Sequence, residues 1–134
     1  MCYYSQINEY TCAQACLLMI LSHFKISSPL KNLWATANKK NGTSIYKLIK
    51  LANTFGLKGT AYKNEKKIFS DNIKTPFVAL TYYKAKQNHY VVINKLKSNK
   101  IEIWDPYDCK KKYYDELISF YSKWSGIIIT FKKK

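Results

Sequence analysis

This chain contains no arginine. All 23 of its basic residues are lysines, and against 8 acidic residues they leave a net charge of +15. Proteins that read nucleic acid lean on the planar guanidinium for bidentate contacts to bases and phosphates. The lysines here are scattered, apart from runs at 110–112 and 132–134, and no basic stripe with interleaved base-stacking residues is present. No nucleic acid is therefore expected as a partner, and the lysines are expected to form a solvated surface that attracts acidic polymers or anionic lipid weakly. Long apolar runs are absent too. A membrane-spanning helix needs ~18 or more apolar residues, and the most apolar stretch, 13–24, is broken by Gln14, Ser22 and His23. The start of the chain has no basic region followed by an apolar core, so no secretory signal is expected. Together these absences predict a soluble chain in the cytoplasm.

Paired metal-binding motifs are also missing. The four cysteines, Cys2, Cys12, Cys16 and Cys109, form no C-x-x-C, and the histidines form no H-x-x-x-H. Cys12 and Cys16 fall one helical turn apart, but no second pair completes a zinc site, so no metal or other cofactor is expected. Disulfide frameworks belong mainly to small exported chains, and none is expected here. There is no G-x-x-x-x-G-K phosphate loop, internal repeat, linker or low-complexity segment. What remains is 134 residues, 47% of them hydrophobic, which suits one domain over 1–134 with a single core.

The apolar pattern begins with a helix over 12–24. Thr11 and Gln14 read as a T-x-x-Q capping box that sets its start. Ala13, Ala15, Cys16, Leu17, Leu18, Met19, Ile20, Leu21 and Phe24 cover almost every face, which marks a buried helix. A second helix is predicted from Ser28, as cap, and Pro29, with Leu30, Leu33, Trp34 and Ala37 as its stripe. A third runs over 44–55 with Ile45, Leu48, Ile49, Ala52 and Phe55 inward, closed by Gly56. Beyond Gly56 the pattern turns to strands over 57–62, 76–82, 89–94, 101–104 and 126–131. A short helix over 115–122 is placed between the last two, with Leu117, Ile118, Phe120 and Tyr121 inward. Helices followed by a mostly antiparallel sheet give an α+β fold.

Cys12 is the first residue with chemical potential. Cysteine is often plain core filler, and Cys16 fits that reading. Cys12 differs by lying in the first helical turn, where unpaired N–H groups and the helix dipole favour a thiolate. His89 opens the strand HYVVI, and Asp105 closes IEIWDP. A histidine at a strand end is often structural, and Asp105-Pro106 alone is a turn signal. If residues 95–99 form the loop of a hairpin, however, His89 lies directly across from Asp105. A shorter loop shifts the register by one or two residues and leaves them neighbours. A base held by a carboxylate is the second half of a catalytic triad. Gln6, six residues before Cys12, can join the Cys12 backbone N–H in holding an oxyanion.

Four segments in order carry a family resemblance. QINEYTCAQACLLMI, GTSIYKLIKLANTFGLKG, NHYVVI followed by WDP, and KWSGIIITF together resemble the bacteriocin-processing peptidase domain at the N-terminus of peptidase-containing ABC transporters, a papain-like cysteine peptidase. The resemblance implies a papain-like fold, with the nucleophile on a buried helix packed on a C-terminal, mostly antiparallel sheet. It implies Cys12 as nucleophile, His89 as general base and then acid, Asp105 as its orienter and Gln6 as oxyanion donor. The implied substrate is a peptide precursor with a double-glycine leader, cut after the Gly-Gly pair. The implied partners are the membrane and nucleotide-binding domains of the transporter, at the inner face of the cell membrane. Such leaders tend to be acidic, so the lysine surface is expected to help docking. Members usually show Asp-Cys-Gly where this chain has Thr11-Cys12-Ala13. The alternative is a catalytically silent docking domain of the kind found in relatives that lack the cysteine; this chain retains all four residues.

Overall fold

The computed structural model describes residues 1–27, 30–39, 42–63, 73–83, 87–107 and 112–134. Three helices come first: α1 (Cys12–His23), α2 (Leu30–Ala35) and α3 (Ile45–Thr54). Then follow β1 (Leu57–Lys63), β2 (Phe77–Tyr83), β3 (Gln87–Lys97), β4 (Lys100–Trp104), β5 (Tyr113–Glu116), α4 (Leu117–Tyr121) and β6 (Trp124–Lys133). The six strands form one sheet in the order β1-β6-β2-β3-β4-β5, with every neighbouring pair antiparallel. The α+β expectation holds.

The sheet is covered on both faces, and the pleat of its central strands sorts the side chains. Val78, Leu80, Tyr90 and Val92 pack with α1 and α3 in one cluster; the alternate residues Phe77, Ala79, Val91 and Ile93 join Ile101, Ile103, Phe120 and Trp124 in the other. Period-two alternation with apolar residues at both phases is what a strand buried on two sides requires. Helix α1 lies inside the first cluster, with every residue from Cys12 to Leu21 buried.

The helix starts at Cys12 as predicted, but not for the predicted reason. No side-chain cap is made. The Thr11 hydroxyl turns back to accept from Ile7 N and Asn8 N (3.0 and 3.2 Å). Gln14 is fully buried and donates through Nε2 to Thr43 Oγ1 (2.8 Å) and Thr36 Oγ1 (3.2 Å). Thr11 is thus engaged by the preceding turn, and Gln14 by tertiary partners, in place of the expected capping box. Ser44 does cap α3, accepting from Lys47 N at 3.1 Å, and Gly56 ends it at φ +89. In α2 Leu33 is buried, while Leu30 is 46% exposed; the Ser28–Pro29 start lies outside the described residues.

Two further expectations are corrected. The β3–β4 loop is not 95–99 but the pair Ser98 and Asn99, both at positive φ (50 and 65), the hand that matches the twist of a two-residue hairpin. The predicted helix over 115–122 is shorter, because Tyr113–Glu116 adds a strand to the sheet edge beside β4. With only five residues left for α4, Phe120 turns inward, and Ile118 stays 76% exposed.

Candidate active site

Cys12 is the first residue of α1 and is 8% exposed. Beside it on the sheet stands His89, near the start of β3, which is itself buried. The His89 backbone carbonyl is fixed by the Thr81 hydroxyl (2.9 Å) on the facing strand β2. His89 Nε2 lies 2.6 Å from Asp105 Oδ1, and the imidazole also hydrogen-bonds the Cys12 side chain. With Nε2 committed to the carboxylate, Nδ1 is left for the sulfur.

The two-residue hairpin loop shifts the register, and an irregularity between Ile93 and Lys95 takes back one residue. Val92 pairs with Trp104, so the next step sets Val91, not His89, opposite Asp105. The two side chains meet on the diagonal rather than directly across. Asp105 sits just beyond the end of β4, where its Oδ1 also accepts from Tyr107 N (2.9 Å). The Tyr107 ring stands edge-on to the His89 ring, with centroids 6.3 Å apart at 88°.

Burial works against a charged imidazole and lowers its proton affinity. The hydrogen bond and charge of Asp105, joined by those of the Cys12 side chain, more than reverse this, and His89 is pushed up to about 9. The imidazole thus holds its proton beside a cysteine in the first turn of α1. Cys16, one turn deeper and fully buried, has its thiol held well above the ordinary range, first by burial and then by the nearby Cys12 and Asp105. It is an inert core residue, as expected.

Gln6 is half-buried in the segment leading into α1. Its Nε2 donates to Asn8 O (2.9 Å), and its Oε1 is buried with no hydrogen-bond partner among the described residues. A primary amide has two N–H donors, so one remains beyond the Asn8 contact.

A cleft of about 730 Å³ opens beside Cys12, lined among others by Tyr10, Thr43, Ser44, Lys47, Leu80 and Tyr90. Its far wall, the Thr43–Ser44 turn before α3, is tied down from two sides. Tyr90 Oη donates to Thr43 O (2.8 Å), and Gln14 Nε2 donates to the Thr43 hydroxyl. Neither Thr43 nor Tyr90 was singled out for this role from the sequence. Gln14 carried a signal, a polar residue inside an otherwise apolar helix, but it was read as a cap. Among the described residues no group of three or more His, Cys, Asp or Glu side chains is placed to hold a metal ion.

A sequence comparison decides the family: residues 1–134 match the Peptidase C39 family throughout. The chain belongs to the Peptidase C39 family. Within that family it is 29% identical over 131 residues to the lactococcin-G-processing and transport ATP-binding protein LagD of Lactococcus lactis subsp. lactis, covering 96% of this chain and 18% of LagD. The chain spans less than a fifth of the length of the curated relatives it matches. Among solved structures, the peptidase domain of Streptococcus ComA, a bifunctional ABC transporter, superposes with a TM-score of 0.89 at 22% identity, covering 98% of this chain and 97% of that one. A double-glycine-motif protease from an AMS/PCAT transporter, solved with its leader peptide, gives 0.87 at 23% identity, covering 99% and 91%. The C39 peptidase fold is thereby established. No helix among the described residues is long and apolar enough to cross a membrane.

Proposed function

We propose that this chain is an active cysteine peptidase domain, formed by residues 1–134, that cuts the leader from a peptide precursor after a Gly-Gly pair. The observation that carries this reading is the continuous hydrogen-bonded line from Cys12 through His89 to Asp105, with Cys12 at a helix N-terminus on the floor of a cleft. In the proposed cycle the Cys12 thiolate attacks the carbonyl carbon of the second glycine. The oxyanion accepts hydrogen bonds from the Cys12 backbone N–H and from the spare N–H of Gln6 Nε2. The tetrahedral intermediate collapses, the C–N bond breaks, and His89 gives its proton to the leaving amine. The now neutral His89 takes a proton from water, whose oxygen attacks the thioester. The leader carboxylate departs, and the proton on His89 restores the ion pair. Asp105 holds the ring throughout.

Glycine specificity follows from access. A sulfur this buried is reached only by a chain slim enough to lie against the cleft floor between Leu80, Tyr90 and the Thr43–Ser44 wall. Lys39 and Lys47 line the same cleft, which suits an acidic leader; a Michaelis constant indifferent to salt would count against that docking role. The similarity to processing and transport ATP-binding proteins supports placing this domain at the inner face of the cell membrane, joined to the membrane and nucleotide-binding domains of an ABC exporter.

The reading is tested by alkylating the native chain with iodoacetamide at a series of pH values and mapping each cysteine by mass spectrometry. Cys12 is expected to outpace the exposed Cys2 at acidic pH and to lose that lead in His89→Ala. A Cys12 no more reactive than Cys2 would favour a catalytically silent docking domain.

A further inference from the structure

We propose that Tyr3 is a positioning residue for Asp105, acting through a strap formed by residues 3–6. This inference rests on the reading of Cys12, His89 and Asp105 as the reacting site. Asp105 lies one residue past the end of β4, so ladder hydrogen bonds no longer hold its backbone, and Pro106 after it has no N–H to anchor the turn. The strap supplies what the sheet does not. Tyr3 Oη donates to Asp105 O at 2.6 Å. At the next carbonyl, Pro106 O, Gln6 N donates at 3.0 Å and Ser5 Oγ at 3.2 Å. Three donors from four consecutive residues therefore clamp the two carbonyls that set the direction of the Asp105 side chain.

Tyr3 is itself held in place. Its half-buried ring meets the Trp104 ring, with centroids 6.3 Å apart at 45°. The Trp104 indole N–H is fixed at 2.6 Å on the buried carboxylate of Glu102. The chain of contacts thus runs from a buried anion in β4, through two aromatic rings, to the peptide of the catalytic aspartate. Without the phenolic hydroxyl the Asp105 carbonyl loses the strap's donor, and the bonds left at Pro106 O and Asp105 Oδ1 restrain that peptide less, so that a small rotation there carries the carboxylate off His89 Nε2. Misplacement by ~1 Å is enough to cost a catalytic group most of its effect. The same strap carries Gln6, so one structural element aligns both ends of the site.

The experiment compares Tyr3→Phe with the native full chain on a synthetic peptide containing a Gly-Gly pair, with thermal unfolding in parallel. Loss of one hydrogen bond predicts a kcat lower by about three- to tenfold at nearly unchanged KM. The pH profile supplies the readout that a merely structural role would not move. Asp105 is the first of the two groups that raise His89, so a loosened Asp105 shifts the alkaline limb of kcat/KM to lower pH in Tyr3→Phe. Should the variant be less stable, assays ~20 °C below its midpoint keep the folded protein in view. An unchanged kcat and an unchanged alkaline limb in Tyr3→Phe, with native activity present, would overturn the Tyr3 proposal alone. A native chain that never cuts the peptide would overturn the reading of the site, and the Tyr3 proposal with it.

Discussion

His89 Nε2 and Asp105 Oδ1 lie 2.6 Å apart, although the hairpin register sets Val91, not His89, opposite Asp105. The diagonal pairing leaves the aspartate beyond the sheet, on a turn whose backbone is held by the N-terminal strap. That arrangement separates the duty of orienting the imidazole from the duty of holding the sheet together.

Replacing Asp105 with Asn tests the first duty. Asn keeps the size of the side chain and loses the charge. A charge-assisted hydrogen bond is worth about 1.5–3 kcal/mol, so kcat/KM is expected to fall by about ten- to a hundredfold. Steady-state kinetics on a Gly-Gly peptide would show it; a change under twofold would mean that the carboxylate is structural.

How much of this was legible in the chain itself differs from feature to feature. Cys12, His89 and Asp105 were readable because each marks the edge of a local element: a helix start, a strand start and a strand end before proline. The α1 and α3 boundaries were readable from apolar coverage and from Ser44 and Gly56. The β5 strand was not, because Tyr113–Glu116 is stabilised by pairing with β4, a contact between segments that local pattern does not encode. The two-residue turn was missed because Lys95, Leu96 and Lys97 read as polar loop, whereas they continue the paired ribbon with Glu102, Ile101 and Lys100. The Gln14–Thr43–Tyr90 clamp joins three distant segments, and only the assembled fold reveals it.

Stability should follow the protonation of His89. Its folded value of about 9 stands above the ordinary 6.5, so the protonated ring favours the folded state. That contribution is fully present below about pH 6.5 and is lost as pH rises through about 9. The melting temperature of the native chain, measured relative to His89→Gln, is expected to converge on the variant's between those limits. A difference that stays constant from about pH 6 to 10 would contradict the ion pair.

Gln6→Ala removes the proposed side-chain donor to the oxyanion but leaves the strap's backbone bond from Gln6 N to Pro106 O. Loss of one such donor typically lowers kcat by about 10²–10³. KM should move little, since the charge develops only in the transition state. An effect confined to KM would assign Gln6 to substrate binding instead.

Glu102 should behave as a structural anion. Its buried carboxylate accepts from Asn94 Nδ2 (3.0 Å), Trp104 Nε1 (2.6 Å) and Tyr114 Oη (3.1 Å). Burial alone would raise its proton affinity, but these three donors outweigh it and hold the carboxyl below its usual range. A depressed carboxylate lends stability above its unfolded value and loses it as pH falls through the folded one. Glu102→Ala strands two or three buried donors and is expected to cost about 3 kcal/mol or more by denaturant unfolding. Glu102→Gln keeps an acceptor for the indole and should cost markedly less. Equal losses would show that only side-chain bulk matters there.

The most direct single measurement is to incubate the full chain with a synthetic peptide bearing an acidic amphipathic leader, a Gly-Gly pair and a short following segment, and to read the products by mass spectrometry. One cut, after the second glycine, is expected from the native chain. In Cys12→Ala that cut should disappear while the peptide still binds. An uncut peptide that binds the native chain and Cys12→Ala equally well, or a cut that persists in Cys12→Ala, would contradict a Cys12 leader peptidase.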